Sequence, residues 1–255
     1  MDHARSPLTL AFQGTGLVAM PGLDTFSASI SPETLARQTP AVALPAVPGH
    51  SPFGAAVKRA MDVIGAGALL VLLAPVFLVL TFLVRRDGGP AFYGHQRVGQ
   101  DGRMFGCLKF RSMVIDSDAR LKALLASDPV ARIEWEASRK LRNDPRVTAV
   151  GRFLRKTSLD ELPQLLNVLR GEMSLVGPRP VTATELATYY GPATSLYASV
   201  RPGITGLWQV SGRSDCSYAQ RVALDVDYAA NQSVWSDVKI LLRTPAVVLA
   251  RKGAV

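Results

Sequence analysis

Between Val63 and Val84 the chain carries no Asp, Glu, Lys or Arg, a run of 22 residues. At about 1.5 Å rise per residue, a helix of that length reaches across a hydrocarbon layer of ~30 Å. A core helix of a soluble domain is the alternative, although apolar runs beyond about 18 residues are rare there. Lys58 and Arg59 precede the run and Arg85 and Arg86 follow it. Basic flanks favour the cytoplasmic side, so a simple crossing would strand one pair on the wrong face. Pro75 interrupts the run and removes a backbone donor. The pattern predicts a helix over 57–86 that enters a membrane, bends at Ala74-Pro75 and returns to the same face. A proline-kinked spanning helix is the other solution.

Elsewhere the periods are shorter. Residues 1–56 hold seven of the 17 prolines, few aromatics and no sustained period, which predicts an extension without fixed structure. Residues 91–115 mix aromatic, glycine and β-branched positions and predict short strands. Residues 117–143 read as helical and strongly charged. Leu162, Leu165, Leu166 and Leu169 fall at i, i+3, i+4 and i+7, predicting an amphipathic helix over 160–170 with Gly171 as its stop. Residues 216–230 read as another helix. Residues 234–251 pair Trp235, Ile240 and Leu242 with Lys239, Arg243 and Arg251, as either an interfacial or a packed helix would. The expected fold is α+β and mostly helical: one catalytic domain, 87–255, behind a membrane element.

Composition narrows the partners. The net charge is +9, and residues 1–56 contribute only two basic and three acidic side chains. From residue 57 onward 27 basic residues face 17 acidic ones, which points to an anionic partner: phosphorylated substrate, anionic membrane or nucleic acid. Cys107 and Cys216 lie far apart and His3, His50 and His95 are scattered, which argues against a zinc site or a disulfide scaffold. Residues 1–20 show no signal-peptide pattern, because Gln13, Gly14 and Thr15 break the apolar stretch.

The sharpest chemical constellation is Arg155-Lys156-Thr157-Ser158-Leu159-Asp160-Glu161-Leu162-Pro163. Pro163 suits the first turn of a helix, so Asp160 and Glu161 are expected at its start, where backbone N–H groups favour negative charge. A carboxylate nucleophile beside a metal-binding carboxylate suits phosphoryl transfer through a covalent intermediate. Ser158 and Glu161 also match a capping box, a purely structural reading. Arg97-Val98-Gly99-Gln100-Asp101-Gly102 with Lys109-Phe110-Arg111-Ser112-Met113 offers spaced cations that could clamp phosphates, or a basic hairpin. Gly177-Pro178-Arg179-Pro180 and Arg201-Pro202-Gly203-Ile204-Thr205-Gly206 are rigid turn segments, each presenting one guanidinium. Asp116-Ser117-Asp118 and Asp225-Val226-Asp227 match the Asp-x-Asp triplet of metal-dependent glycosyltransferases; the first also suits a helix start.

Residues 157–180, from Thr157-Ser158-Leu159-Asp160-Glu161-Leu162-Pro163 to Gly177-Pro178-Arg179-Pro180, closely resemble the signature of the bacterial monotopic phosphoglycosyl transferases, also called bacterial sugar transferases. The resemblance extends over about 55–255, through Lys58-Arg59 to Asp62, Lys109 to Met113 and Arg201 to Gly206. It implies that Asp160 attacks the β-phosphorus of a UDP-sugar, that UMP leaves, and that undecaprenyl phosphate then takes the hexose-1-phosphate. It implies Glu161 beside Mg²⁺, phosphate charge handled by Lys109, Arg111, Arg155 and Arg201, and a uridine pocket walled by Pro178, Arg179 and Pro180. It further implies a re-entrant helix in inner-membrane lipid, with the catalytic domain on the cytoplasmic face and no nucleic-acid partner; self-association is left open. Several family members carry Ser-Pro at the kink where this chain has Ala74-Pro75. The closing stretch Trp235 to Thr244 looks most like the exopolysaccharide-initiating branch, which suggests galactose or glucose as the sugar. An Asp-x-Asp glycosyltransferase, releasing UDP, is the rival enzyme. A tethered binding protein would explain the charge but give Asp160-Glu161 no role.

Overall fold

The computed structural model describes residues 52–138, 140–212 and 216–249. The extension expected over 1–56 falls almost wholly outside them. The long apolar run forms two helices, α1 (Pro52–Leu72) and α2 (Ala74–Arg85), bent by 66° at Leu73. Pro75 stands in the first turn of α2, where its missing N–H costs least, and has no donor to offer the carbonyl of the preceding turn. Among the described residues no single helix is long and apolar enough to cross a membrane, while this bent pair passes that test together. Ile64, Val71 and Leu72 on α1 and Leu78, Val79 and Phe82 on α2 are exposed, so both arms present an uncovered apolar surface.

The opposite face of α1 docks on the remainder of the chain. There β1 (Phe92–Val98) and β2 (Met104–Phe110) form an antiparallel hairpin with Val98 opposite Met104 and Phe92 opposite Phe110. After it come α3 (Ser117–Ser127), α4 (Pro129–Ser138), α5 (Ala149–Thr157), a 3₁₀ turn (Leu159–Glu161) and α6 (Gln164–Arg170). Next are β3 (Ser174–Val176), α7 (Ala183–Tyr189), a 3₁₀ turn at Gly191–Ala193 and α8 (Thr194–Ala198). The described chain closes with β4 (Gly203–Thr205), α9 (Leu207–Ser211), α10 (Tyr218–Ala230) and α11 (Val234–Leu249). β3 and β4 pair in parallel, Ser174 with Gly203 and Val176 with Thr205. The architecture is α+β and mostly helical, with small sheets. One core joins Ala66 of α1 to Phe105, Leu165, Val168, Val176 and Ile240; a second joins Leu80 and Val84 of α2 to Phe110 and Leu154.

Several boundaries differ from the sequence pattern. The helical stretch from 117 is broken at Asp128-Pro129, where the Asp128 carboxylate caps α4 through Val130 N (2.9 Å) and Ala131 N (3.1 Å). The helix expected over 160–170 begins only at Gln164, although Gly171 ends it in the left-handed conformation as expected. Its leucine stripe is buried only in part: Leu165 is in the core and Leu169 is exposed, while Gln164 and Asn167 are buried beside it. Asn167 reaches β2, accepting from Leu108 N (2.9 Å) and donating to Gly106 O (2.9 Å), so a polar side chain joins Leu165 and Val168 in holding α6 to the core. α11 packs as the second of its two readings has it, with Asp237 and Ile240 facing the core, while Trp235 and Leu242 face outward.

The basic residues before the apolar run are consumed inside the protein. Lys58 donates to Asp237 Oδ2 (2.6 Å) and to Val176 O (3.1 Å), and Arg59 donates to the α6 carbonyls of Val168 (2.7 Å) and Leu169 (2.9 Å). Removing one partner of such a buried pair leaves an uncompensated charge. Lys58→Met should therefore lower the unfolding free energy by about 3 kcal/mol. Adding Asp237→Asn should restore part of that loss in thermal unfolding of the detergent-solubilised chain; strictly additive losses would show that the two side chains are not coupled.

Candidate active site

β2 alternates side chains between the two faces of the hairpin, which places Cys107 and Lys109 on one face. Past Phe110 the chain turns, and α5 packs so closely on it that a Cβ at Gly151 would collide with the backbone of Ser112. Arg155 Nε donates to Ser112 Oγ (3.0 Å) across the same contact. α5 then ends at Ser158 in the left-handed conformation (φ 57°), an uncommon backbone state for a serine. That reversal turns Asp160 and Glu161 back toward Lys109.

The two carboxylates lie in the 3₁₀ turn and not in the first turn of an α-helix. α6 begins three residues beyond Glu161 with Pro163 at its N-cap, and the Ser158 side chain caps nothing, so the capping box is not formed. The local electrostatics come from side chains instead. Lys109 Nζ lies 2.7 Å from Glu161 Oε1 and 3.5 Å from Asp160 Oδ2, and an Arg179 nitrogen lies 3.5 Å from the same Glu161 oxygen. Asp160 is 9% exposed. Burial pushes its carboxyl above the ordinary range, Lys109 pulls it back, and Glu161 pushes it up further.

Arg179 is aimed by its backbone. A Cβ at Gly203 would overlap the backbone at Gly177, so these two glycines allow the segments 177–180 and 201–206 to touch main chain to main chain. Gly177 N donates to Thr205 O (2.9 Å) and Gly203 N to Pro178 O (2.8 Å). Tyr197 Oη accepts from Val181 N (3.1 Å) and lies 3.3 Å from Arg179 O. The buried carboxylate of Asp225 receives the Arg179 N–H and the Tyr190 hydroxyl (2.7 Å), and burial raises it to about 6. The result is a small, solvent-open cleft. Lys109, Cys107 and Arg97 line it from the hairpin, Glu161 and Gln164 from the turn and α6, and Arg179-Pro180 and Gly203-Ile204 from the opposite wall.

The structure thus gathers Asp160, Glu161, Lys109, Arg179 and Pro180, with Arg155 close enough to act on the Asp160 carboxyl. Pro178 is buried behind the wall. Arg201 donates to Gly171 O (2.8 Å) and ties its segment to the end of α6. Arg111 turns away, donating to Asp87, to Val84 O (2.9 Å) and to Pro90 O (2.8 Å), and so closes the end of α2; Asp87 is held at about 2, chiefly by that guanidinium. Lys109 and Arg111 are two apart in sequence yet serve different places, because β2 ends between them. Arg97 enters the cleft through the hairpin register, and Gln164 offered no signal, since its burial follows from where α6 begins.

Neither Asp-x-Asp triplet lines the cleft. On α10 Asp225 is buried and Asp227 exposed, while Asp116 is exposed and paired with Arg120. Among the described residues no group of three or more His, Cys, Asp or Glu side chains could hold a metal ion unaided. Asp160 and Glu161 offer carboxylate oxygens, a donor set that fits Mg²⁺ when substrate phosphates complete its shell.

Lys109→Met removes the nearest cation opposing burial at Asp160. The carboxyl should then take its proton at higher pH than in the wild type, as read by ¹³C titration of aspartate-labelled protein. An unmoved or lowered midpoint would mean that Lys109 does not govern this group.

The family profile of bacterial sugar transferases matches residues 53–251. A UDP-galactose-lipid carrier transferase of Erwinia amylovora is 57% identical over 198 residues, which are 78% of this chain and 41% of that protein. An undecaprenyl-phosphate galactose phosphotransferase of Salmonella typhimurium is 56% identical over 198 residues, 78% of this chain and 41% of that protein. The exopolysaccharide production protein ExoY of Rhizobium meliloti is 54% identical over 202 residues, 78% of this chain and 89% of that protein. The chain spans about two fifths of the first two relatives and most of the third. By the extent of the profile match and the level of identity, the chain belongs to the bacterial sugar transferase family.

Proposed function

We propose that the protein transfers a hexose-1-phosphate, galactose or glucose, from a UDP-sugar to undecaprenyl phosphate, releasing UMP, as the first membrane step of exopolysaccharide synthesis. The observation that carries this reading is a buried carboxylate, Asp160, 3.5 Å from Lys109, which lines the cleft together with Glu161, Arg97 and Arg179. The activities for which the relatives are named point the same way. An Asp160 oxygen attacks the β-phosphorus, the bond from that phosphorus to the bridging oxygen breaks, and UMP leaves with the electron pair. An oxygen of the carrier phosphate then attacks the same phosphorus and releases Asp160 as carboxylate. Lys109 favours the ionised form of Asp160 against its burial, while Arg179 and Arg155 offset phosphate charge. Glu161, with Asp160, is the residue that would hold Mg²⁺, which supplies charge neutralisation at the diphosphate.

A covalent intermediate divides the reaction. Incubation with UDP-sugar and Mg²⁺ alone should release up to about one UMP per enzyme and raise the protein mass by one hexose phosphate. Asp160→Asn should show no adduct and lose turnover about a thousandfold or more. UMP that appears only with lipid present, without a trapped adduct, would replace this scheme with direct transfer, and UDP as product would replace it with simple glycosyl transfer.

The bent pair α1–α2 supports a re-entrant anchor at the cytoplasmic face of the inner membrane. Its outer surface is apolar, and its 66° bend falls mid-run. In a Cys216→Ser background, cysteines replacing the exposed Phe53 and Arg86 should both resist an impermeant maleimide in intact cells. Labelling of the Phe53 position from outside would establish a spanning helix instead.

A further inference from the structure

We infer that Arg97 binds the nucleoside-bound phosphate of the donor, and that Glu185 takes Arg97 back when UMP departs. This rests on the transfer reading above. Residues opposite one another in an antiparallel pair share a face, so the register Arg97–Phe105 and Tyr93–Lys109 puts Arg97 on the same face as Cys107 and Lys109. Four residues of strand, about 14 Å, separate the levels of Arg97 and Lys109. The two long cationic side chains therefore enter the cleft from its two ends. Lys109 belongs to the end holding Asp160 and Glu161, where the β-phosphorus would react. A donor with its β-phosphate there directs its other phosphate and nucleoside toward Pro180, Ile204 and Arg97.

Arg97 has a partner it can leave. Its Nη1 lies 2.8 Å from Glu185 Oε2, and both side chains are partly exposed, at 22% and 33%. Such ion pairs hold weakly. Glu185 does not depend on Arg97 for its place, because it forms a capping box with Thr182 at the start of α7: the same oxygen accepts from Thr182 N (2.8 Å) and Oγ1 (3.0 Å). The donor's diphosphate, with one negative charge on each phosphate, outcompetes a single carboxylate for the guanidinium fork. As the bond from β-phosphorus to bridging oxygen breaks, negative charge grows on the departing phosphate, where Arg97 stabilises it. Glu185 then competes for the freed guanidinium, which speeds release and clears the cleft for the carrier.

The test is calorimetric titration of UMP into the full chain in lipid nanodiscs. Arg97→Gln should weaken UMP binding by about tenfold or more, with Arg97→Lys in between because it keeps charge but loses the fork. Glu185→Gln, which preserves the capping box, should tighten UMP by about threefold or more by removing the competitor. A merely structural tie between β1 and α7 would move both variants in the same direction. Affinities of Arg97→Gln within about twofold of wild type, or parallel shifts in both variants, would overturn the assignment while leaving the transfer reading intact. A wild-type protein that neither binds UMP nor forms a hexose-phosphate adduct would overturn both.

Discussion

Lys58, Arg59 and Asp62 stand within two turns of α1, and their hydrogen bonds reach three separate elements. Asp62, 1% exposed, accepts from Ser174 Oγ (2.9 Å) and Leu175 N (2.9 Å) on β3, Lys58 reaches Asp237 on α11, and Arg59 holds the last carbonyls of α6. An apolar helix alone would slide on its neighbours, because dispersion contacts carry little direction. Three charged groups, each hydrogen-bonded to fixed acceptors or donors on neighbouring elements, set rotation and height together. Since α6 follows the Asp160 turn and β3 leads into the Arg179 wall, the same contacts locate the cleft relative to the apolar arms. Whatever surface receives the arms, the carboxylates stand at a defined distance from it.

Within the cleft, opposing effects act on one carboxyl. Burial and Glu161 favour the protonated form of Asp160, and Lys109 favours the charged one. In the transfer proposed above the attacking carboxylate benefits from this compromise: full exposure would hydrate it and dull its reactivity, while burial without a cation would favour its protonated form. Glu161, shared between Lys109 and Arg179, brings the hairpin and the wall to a common point. The wall is held by hydrogen bonds at Pro178 O, at both peptide groups of Arg179 and at both of Val181, with Val98 N donating to Val181 O (2.9 Å). Stiffness at that backbone spares the Arg179 guanidinium part of the entropy of finding its place.

The apolar run, its bend at Pro75, the stop at Gly171, the strands over 91–115 and the carboxylate pair were all legible along the chain, because each rests on a local rule: hydropathy over a window, a missing N–H, a residue tolerant of positive φ, alternation, a motif. The amphipathic helix was legible only in part. Its leucines have helical spacing, yet the buried face carries Gln164 and Asn167, whose hydrogen bonds are to partners far away in sequence. Periodicity counts apolar residues and cannot see a polar group satisfied at long range.

The same division separates the cations. Sequence determined that this chain has an apolar element with basic flanks, an Asp-Glu pair beside a proline, and several arginines and lysines in glycine- and proline-rich segments. Tertiary structure decided what each charge does. Lys58 and Arg59 became internal fasteners, Arg111 sealed the end of α2, Arg201 braced α6, and Lys109, Arg179 and Arg97 converged on the cleft. A side chain's charge is written in its residue type, but its partner is set by direction and distance, which depend on strand register, on where a helix begins and on how closely two glycines let backbones approach.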